Sequence, residues 1–134
     1  MKVTDKTAFS FGGVTELNFD EAVEKVREVL KEQGFGVLTE IDAKNVLKEK
    51  LGLDRNPYKI LGACNPSFAH QALDIEPEIG TLLPCNVVIY EDQKGKVIIT
   101  AMNPEAALKL VNKPELNKMA KEVRTRIENA LMKL

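Results

Sequence analysis

The residues best suited to chemistry in this chain are two cysteines, each followed by an asparagine: Cys64-Asn65 and Cys85-Asn86. A cysteine acts as nucleophile, redox group or soft metal ligand in its thiolate form, so its surroundings decide what it can do. Cys64 ends an apolar run and directly precedes Asn65-Pro66. Asparagine caps free helix amides, and a proline in the first turn lacks only an N–H that would have had no partner. That pair predicts a helix start, with the Cys64 sulfur at the positive end of the helix dipole, a place that favours thiolate. The plainer alternative is a small packed hydrophobe, because free cysteine is among the most buried residue types. Cys85 follows Pro84 at the mouth of the next apolar run, and Asn86 offers an amide able to orient a ligand or satisfy loop backbone. Cys64, Asn65, Cys85 and Asn86 are therefore the candidate ligand-binding residues. The spacing between the cysteines matches no short redox or zinc-ribbon motif, so only the fold can bring them together.

His70 is the single histidine, which excludes a site built on several histidines. Cys64, Cys85 and His70 could serve as three ligands for zinc, with Asp74, Glu76, Glu78 or water as the fourth. An exposed surface histidine is the plainer alternative. A Cys-His nucleophile pair and a reversible Cys64/Cys85 disulfide are compatible with the same residues, and neither has a sequence signature. The carboxylate pairs Glu76/Glu78 and Glu91/Asp92 fall in loop or turn contexts, where solvated charge is expected.

The elements that must position these residues can be read from periodicity and punctuation. Val3 to Phe11 predicts a first strand, ended by Gly12-Gly13. Asn18 and Glu21 form a capping box ahead of a helix carrying Ala22, Val23, Val26, Val29 and Leu30 on one side, with Gly34 as its stop. Phe35 to Ile41 alternates as a half-buried strand. Asp42 then caps a short helix expected to turn Val46, Leu47 and Leu51 inward. Tyr58 to Cys64 predicts a third strand, and Asn65-Pro66 a short helix reaching about Leu73. A connection from Asp74 to Pro84 follows, long enough to suggest a role beyond linking. Cys85 to Glu91 and Lys96 to Met102 form a hairpin around Gly95. Asn103-Pro104 starts a brief helix and Pro114 the longest one, whose stripe includes Leu116, Met119, Val123, Ile127 and Leu131. The hairpin favours an α+β arrangement over a doubly wound parallel sheet, and no Gly-rich phosphate loop follows any strand.

Composition bounds the rest. At 134 residues, 44% apolar and 29% charged, residues 1–134 are expected to fold as a single domain around one core. Nineteen basic residues nearly balance twenty acidic ones, so no net field draws in nucleic acid or an anionic membrane. The apolar runs are far shorter than the ~20 residues of a membrane span, and the first residues lack a signal peptide's apolar region, so a cytoplasmic protein with reduced thiols is expected.

Three linked motifs carry a family resemblance: Gly34-Phe35-Gly36-Val37-Leu38-Thr39-Glu40-Ile41, Gly62-Ala63-Cys64-Asn65-Pro66, and Ile79 to Val88 with Leu83-Pro84-Cys85-Asn86 at its centre. The chain resembles the domain-of-unknown-function 302 family of small bacterial and archaeal proteins, over nearly its whole length. The resemblance implies an α+β fold: a curved, largely antiparallel sheet with a helix after the first strand, short connecting helices and a long C-terminal helix, similar to the TATA-box-binding-protein-like class. Its signature positions match Gly34, Phe35, Glu40, Cys64, Asn65, Pro66, Leu83, Pro84, Cys85 and Asn86; His70 lies outside them. It implies no established activity, and homodimers would be in keeping with it.

Three functional expectations follow. One is a small-molecule or metal-ion site at the Cys-Asn steps, with thiol chemistry open to it. Another is a non-catalytic homodimeric module using the stripe on the last helix, against which stands the simpler role of that stripe as cover for the sheet. The third is a ligand cavity between the sheet and that helix.

Overall fold

A computed structural model describes all residues, Met1–Leu134. Six strands form one antiparallel sheet in the order β1-β2-β6-β5-β4-β3: β1 Thr4–Asp5, β2 Ser10–Thr15, β3 Gly36–Asp42, β4 Tyr58–Cys64, β5 Cys85–Glu91 and β6 Val97–Met102. Five α-helices connect and cover them: α1 Phe19–Glu32, α2 Ala43–Leu51, α3 Pro66–Ile75, α4 Pro104–Leu108 and α5 Pro114–Leu131. The α+β architecture, with a helix following the first strands and the longest helix at the end, is the one expected.

Local chemistry sets the element ends. The Asn18 Oδ1 accepts from the Glu21 N–H at 2.9 Å while the Asn18 N–H donates to the Glu21 carboxylate at 3.4 Å, the reciprocal box that starts α1. At the other end Gly34 takes a φ of +85°, and the Phe35 N–H returns to the Leu30 carbonyl at 2.9 Å. This Schellman closure turns the chain directly into β3. In the β5–β6 hairpin the Asp92 carboxylate accepts from the N–H groups of Lys94 and Lys96, each at 2.9 Å.

Side-chain alternation along the strands divides the sheet into unlike faces. One face presents Phe11, Leu61, Ala63, Val87, Ile89, Val97, Ile99 and Ala101 to α1 and α5. There they meet Val26, Val29 and Leu30 of α1 and Val123, Ile127, Ala130 and Leu131 of α5, all buried. A smaller cluster of Ala72, Ile79, Leu108, Leu116 and Ala120 joins α3, α4 and α5. The stripe of α5 is thus spent inside the chain, as cover for the sheet, and is not free to hold a partner helix.

The opposite face contributes no residue to either apolar cluster. Its pairing places Tyr58, Tyr90, Ile98 and Val14 in one row across the sheet, and Ile41, Ile60, Val88, Thr100 and Gly12 in the next.

Three local expectations change. Gly12-Gly13 lies within β2 instead of ending a strand. A Cβ on Gly12 would run into the Ile99 carbonyl, and one on Gly13 into the Lys2 carbonyl, so these glycines permit close backbone approach. Helix α2 buries none of its residues, and Val46 and Leu51 remain 43% and 65% exposed. It joins β3 to β4 at one edge of the sheet and lies only against β4, where Leu47 is half-buried and lines a shallow concavity with Tyr58. The connection after α3 is ordered as a 3-10 helix, Pro77–Leu82.

Because Ile127 is fully buried between α1, α5 and the sheet, Ile127→Ala should lower the free energy of unfolding by about 2–5 kcal/mol. Urea titration followed by circular dichroism checks this, and Met132→Ala, at an exposed position one residue beyond α5, should leave the midpoint nearly unchanged.

Candidate functional site

The antiparallel pairing of β4 with β5 sets Ala63 opposite Cys85 and Gly62 opposite Asn86, so the two Cys-Asn steps meet at one end of adjacent strands. Beyond Cys64 the chain enters α3, where the Asn65 Oδ1 accepts from the Phe68 N–H at 3.2 Å. The side chain therefore caps α3 with its oxygen, and its Nδ2 has no partner within the chain. That nitrogen lies against Gly34, where an added Cβ would stand 2.9 Å from it. The first and second motifs thus touch, through a glycine that both its positive φ and its neighbour require.

Around this junction is a cavity of about 350 Å³, lined by 20 residues of which 16 are hydrophobic. Its walls come from α3 (Phe68, Ala69, Ala72, Leu73), the 3-10 helix and the segment leading to β5 (Ile79, Leu82, Leu83, Pro84), α5 (Met119, Val123) and β3 (Leu38, Thr39). Concavities of about 410 and 650 Å³ elsewhere are more open and lined mainly by polar and charged groups. Cys64, Asn65 and Cys85 border the apolar cavity, and Asn86 does not. Strand alternation explains the difference: Cys85 shares the helix-covered face with Ala63, while Asn86 is exposed on the other face.

Both cysteines are free thiols and both are half-buried. Burial pushes the Cys85 thiol up from the ordinary 9.0 to about 11, helped by repulsion from the nearby Cys64. At neutral pH Cys85 is therefore a neutral thiol, a weak nucleophile and a weak metal ligand.

His70 does not join the pair. On α3, Phe68, Ala69, Ala72 and Leu73 turn toward the cavity, which leaves residue 70 on the solvent side. Its side chain is 78% exposed and stands 3.6 Å from Asp74. No group of three or more His, Cys, Asp or Glu side chains is arranged to hold a metal ion, so the zinc set of Cys64, Cys85 and His70 is not assembled. Glu76 also has a more specific place than solvated charge. Its carboxylate accepts from the Glu78 N–H at 2.9 Å and from Lys113 at 3.3 Å, contacts that hold its pKa below the ordinary value. Lys113 donates as well to the Ile75 carbonyl at 3.0 Å, tying the end of α3 to the start of α5.

Several cavity residues escaped the sequence reading. Leu38 is the extra residue of a bulge, since Val37 pairs with Ala63 and Thr39 already with Gly62. It is 69% exposed at the cavity's edge. A Cβ on Gly62 would strike the Thr39 hydroxyl and come within 2.8 Å of Pro84 Cγ, so this glycine lets both side chains close in over β4. The apolar arc on α3 was a usable signal, but periodicity does not show whether an arc faces packed atoms or a cavity.

The sequence model of "Domain of unknown function DUF302" matches residues 13–134. The chain belongs to the DUF302 family. A crystal structure of an uncharacterized conserved DUF302 protein from Bacillus stearothermophilus is similar, with 33% identity, a TM-score of 0.82, and coverage of 90% of this chain and 92% of that one. No curated protein matches the chain. Of the residues in the three sequence motifs, Phe35, Cys64, Asn65, Leu83, Pro84 and Cys85 line the cavity, and Gly34 seats Asn65. Glu40 stands apart, paired with Arg27 at 2.8 Å. No helix of this DUF302 chain is long and apolar enough to cross a membrane.

The raised Cys85 pKa gives a pH dependence of definite sign. Below pH 9 the thiol is neutral folded and unfolded, and burial is fully favourable; between 9 and about 11 the unfolded thiol ionises first, so stability falls. Urea titrations should show the native chain losing up to about 2–3 kcal/mol across that interval relative to Cys85→Ala. Parallel pH curves for the two proteins would contradict it.

Proposed function

We propose that this DUF302 chain binds a small, largely apolar molecule in the cavity between α3, α5 and the ends of β4 and β5. One observation carries the reading: the space bordered by the two cysteines is a cavity of about 350 Å³ with a mainly hydrophobic lining. Ligand sites of small molecules run from about 300 to 1,000 Å³ and combine apolar walls with a few convergent polar groups. Here the polar groups at the border are the unpaired Asn65 amide nitrogen and the two thiols. Transfer of an apolar ligand from water drives binding, at roughly 25 cal/mol for each Å² buried, and the polar groups at the border orient it.

Electrostatics favour binding over metal coordination or thiolate chemistry. A neutral Cys85 thiol adds polarisable surface and a weak hydrogen-bond donor without the desolvation cost of a charge. Asn65 cannot rotate freely to follow a ligand, because its oxygen holds the first turn of α3, so its nitrogen is a fixed reference point.

Fluorescence titration with N-phenyl-1-naphthylamine, an uncharged apolar probe, tests the reading. The native chain should bind the probe saturably, and Ala69→Phe, which projects a ring into the cavity from α3, should weaken binding at least about tenfold while the melting temperature holds or rises. Failure of the native chain to bind, or equal binding by a folded Ala69→Phe variant, would overturn it.

A further inference from the structure

None of the residues that line the cavity is charged, so a charge carried by a ligand would have to lie at the cavity's border. Arg126 stands at that border. Helical spacing sets it on the same side of α5 as Met119 and Val123, which are part of the wall. Its guanidinium lies over the ring of Phe68, 5.1 Å from the centroid, and Phe68 is part of the wall as well. Glu122 engages the Arg126 Nε at 3.1 Å, and stacking on one side with an ion pair on the other holds the planar group in place. The two terminal nitrogens of the fork donate to no acceptor in the chain.

A second free donor, the Asn65 Nδ2, points to the same spot. A Cβ built on Gly34 would stand 2.9 Å from that nitrogen and 3.8 Å from the Arg126 Nη1, and beyond the glycine's own chain neighbours no other atom lies within 4 Å of it. The positive φ of Gly34 keeps a side chain from filling this corner. What remains is a small gap flanked by two nitrogen donors, one of them cationic, and by no acceptor. Asn65 borders both the gap and the cavity, so the two spaces adjoin.

We propose that the ligand of the cavity is a carboxylate with an apolar body, its acid group seated at the Gly34 corner between the Asn65 amide and the Arg126 guanidinium. This rests on the binding reading above and adds to it the ligand's charge and orientation. A carboxylate only accepts hydrogen bonds, and its two oxygens can take one from each nitrogen. The apolar body then runs past Phe68 toward Ala69 and Met119. An amine would set its positive charge against the guanidinium. Glu122 opposes an anion, but it is bound to the Nε edge and does not occupy the corner. Inside the cavity the neutral Cys85 thiol adds no rival negative charge.

Calorimetric titration of the whole chain with 2-naphthoate and with the neutral 2-naphthalenemethanol, which share one ring system, is the test. The native chain should bind the acid at least about tenfold more tightly than the alcohol. Arg126→Gln should abolish that preference while leaving the alcohol, the N-phenyl-1-naphthylamine titration and the circular dichroism spectrum unchanged. Glu122→Gln, at an exposed position, keeps the test decisive if Arg126→Gln does not fold: it should tighten the acid at least about threefold and leave the alcohol alone. If the native chain binds N-phenyl-1-naphthylamine and the alcohol but prefers no acid, or if the preference survives in folded Arg126→Gln, the carboxylate assignment is overturned and the apolar cavity stands. Binding of none of the three probes overturns both.

Discussion

The register of β4 against β5, with Ala63 opposite Cys85, is the constraint from which the rest of the molecule follows. Strand side chains have a period of two, so a slip of one residue would move Leu61 and Ala63, or Val87 and Ile89, from the covered face to the open one. The same pairing brings Cys64 and Cys85 to one end of the sheet and sends Asn86 to the far side. Core, cavity and open face are three consequences of one alignment. It is held by the buried contacts of α1 and α5 on one side and by the bulge at Leu38, which re-aims the edge strand where it borders the cavity.

The cavity persists because its walls are fixed independently of its contents. Asn65 holds the start of α3, Lys113 ties the end of α3 to α5, and Glu76 caps the 3-10 helix that follows. Small residues on the facing side of α3, Ala69 and Ala72, leave space that larger ones would occupy. Apolar cavities lose packing contacts, so this one is volume that core packing alone would fill.

What could be read in the sequence depended on range. Asn18, Asn65 and Asn103 announce helix starts because a cap is an interaction over two or three residues, and each does accept the expected backbone N–H. The stripe of α5 was equally plain, and its burial follows from its length and period. Val46 and Leu51 misled because an apolar position predicts burial only where another layer exists to receive it, and α2 meets only the edge of β4, which takes Leu47 half-way in and leaves the other two exposed. His70 misled in the opposite way: its distance from Cys64 in sequence is short, but helical rotation sets it on the solvent side while Ala69 faces the cavity. Leu38 was illegible because a bulge interrupts alternation, and what shifts is pairing with β4, not any local propensity.

Thiols, amide and apolar wall form a single binding site only if the cavity is dry and accessible to an apolar guest. A crystal of the chain pressurised with xenon measures that property with no choice of ligand, since an apolar cavity of this kind stays empty of water and admits the gas. The account predicts a xenon peak in contact with Phe68, Ala69 and Met119. A chain of hydrogen-bonded waters at that place, or side chains collapsed into it with no xenon, would contradict it.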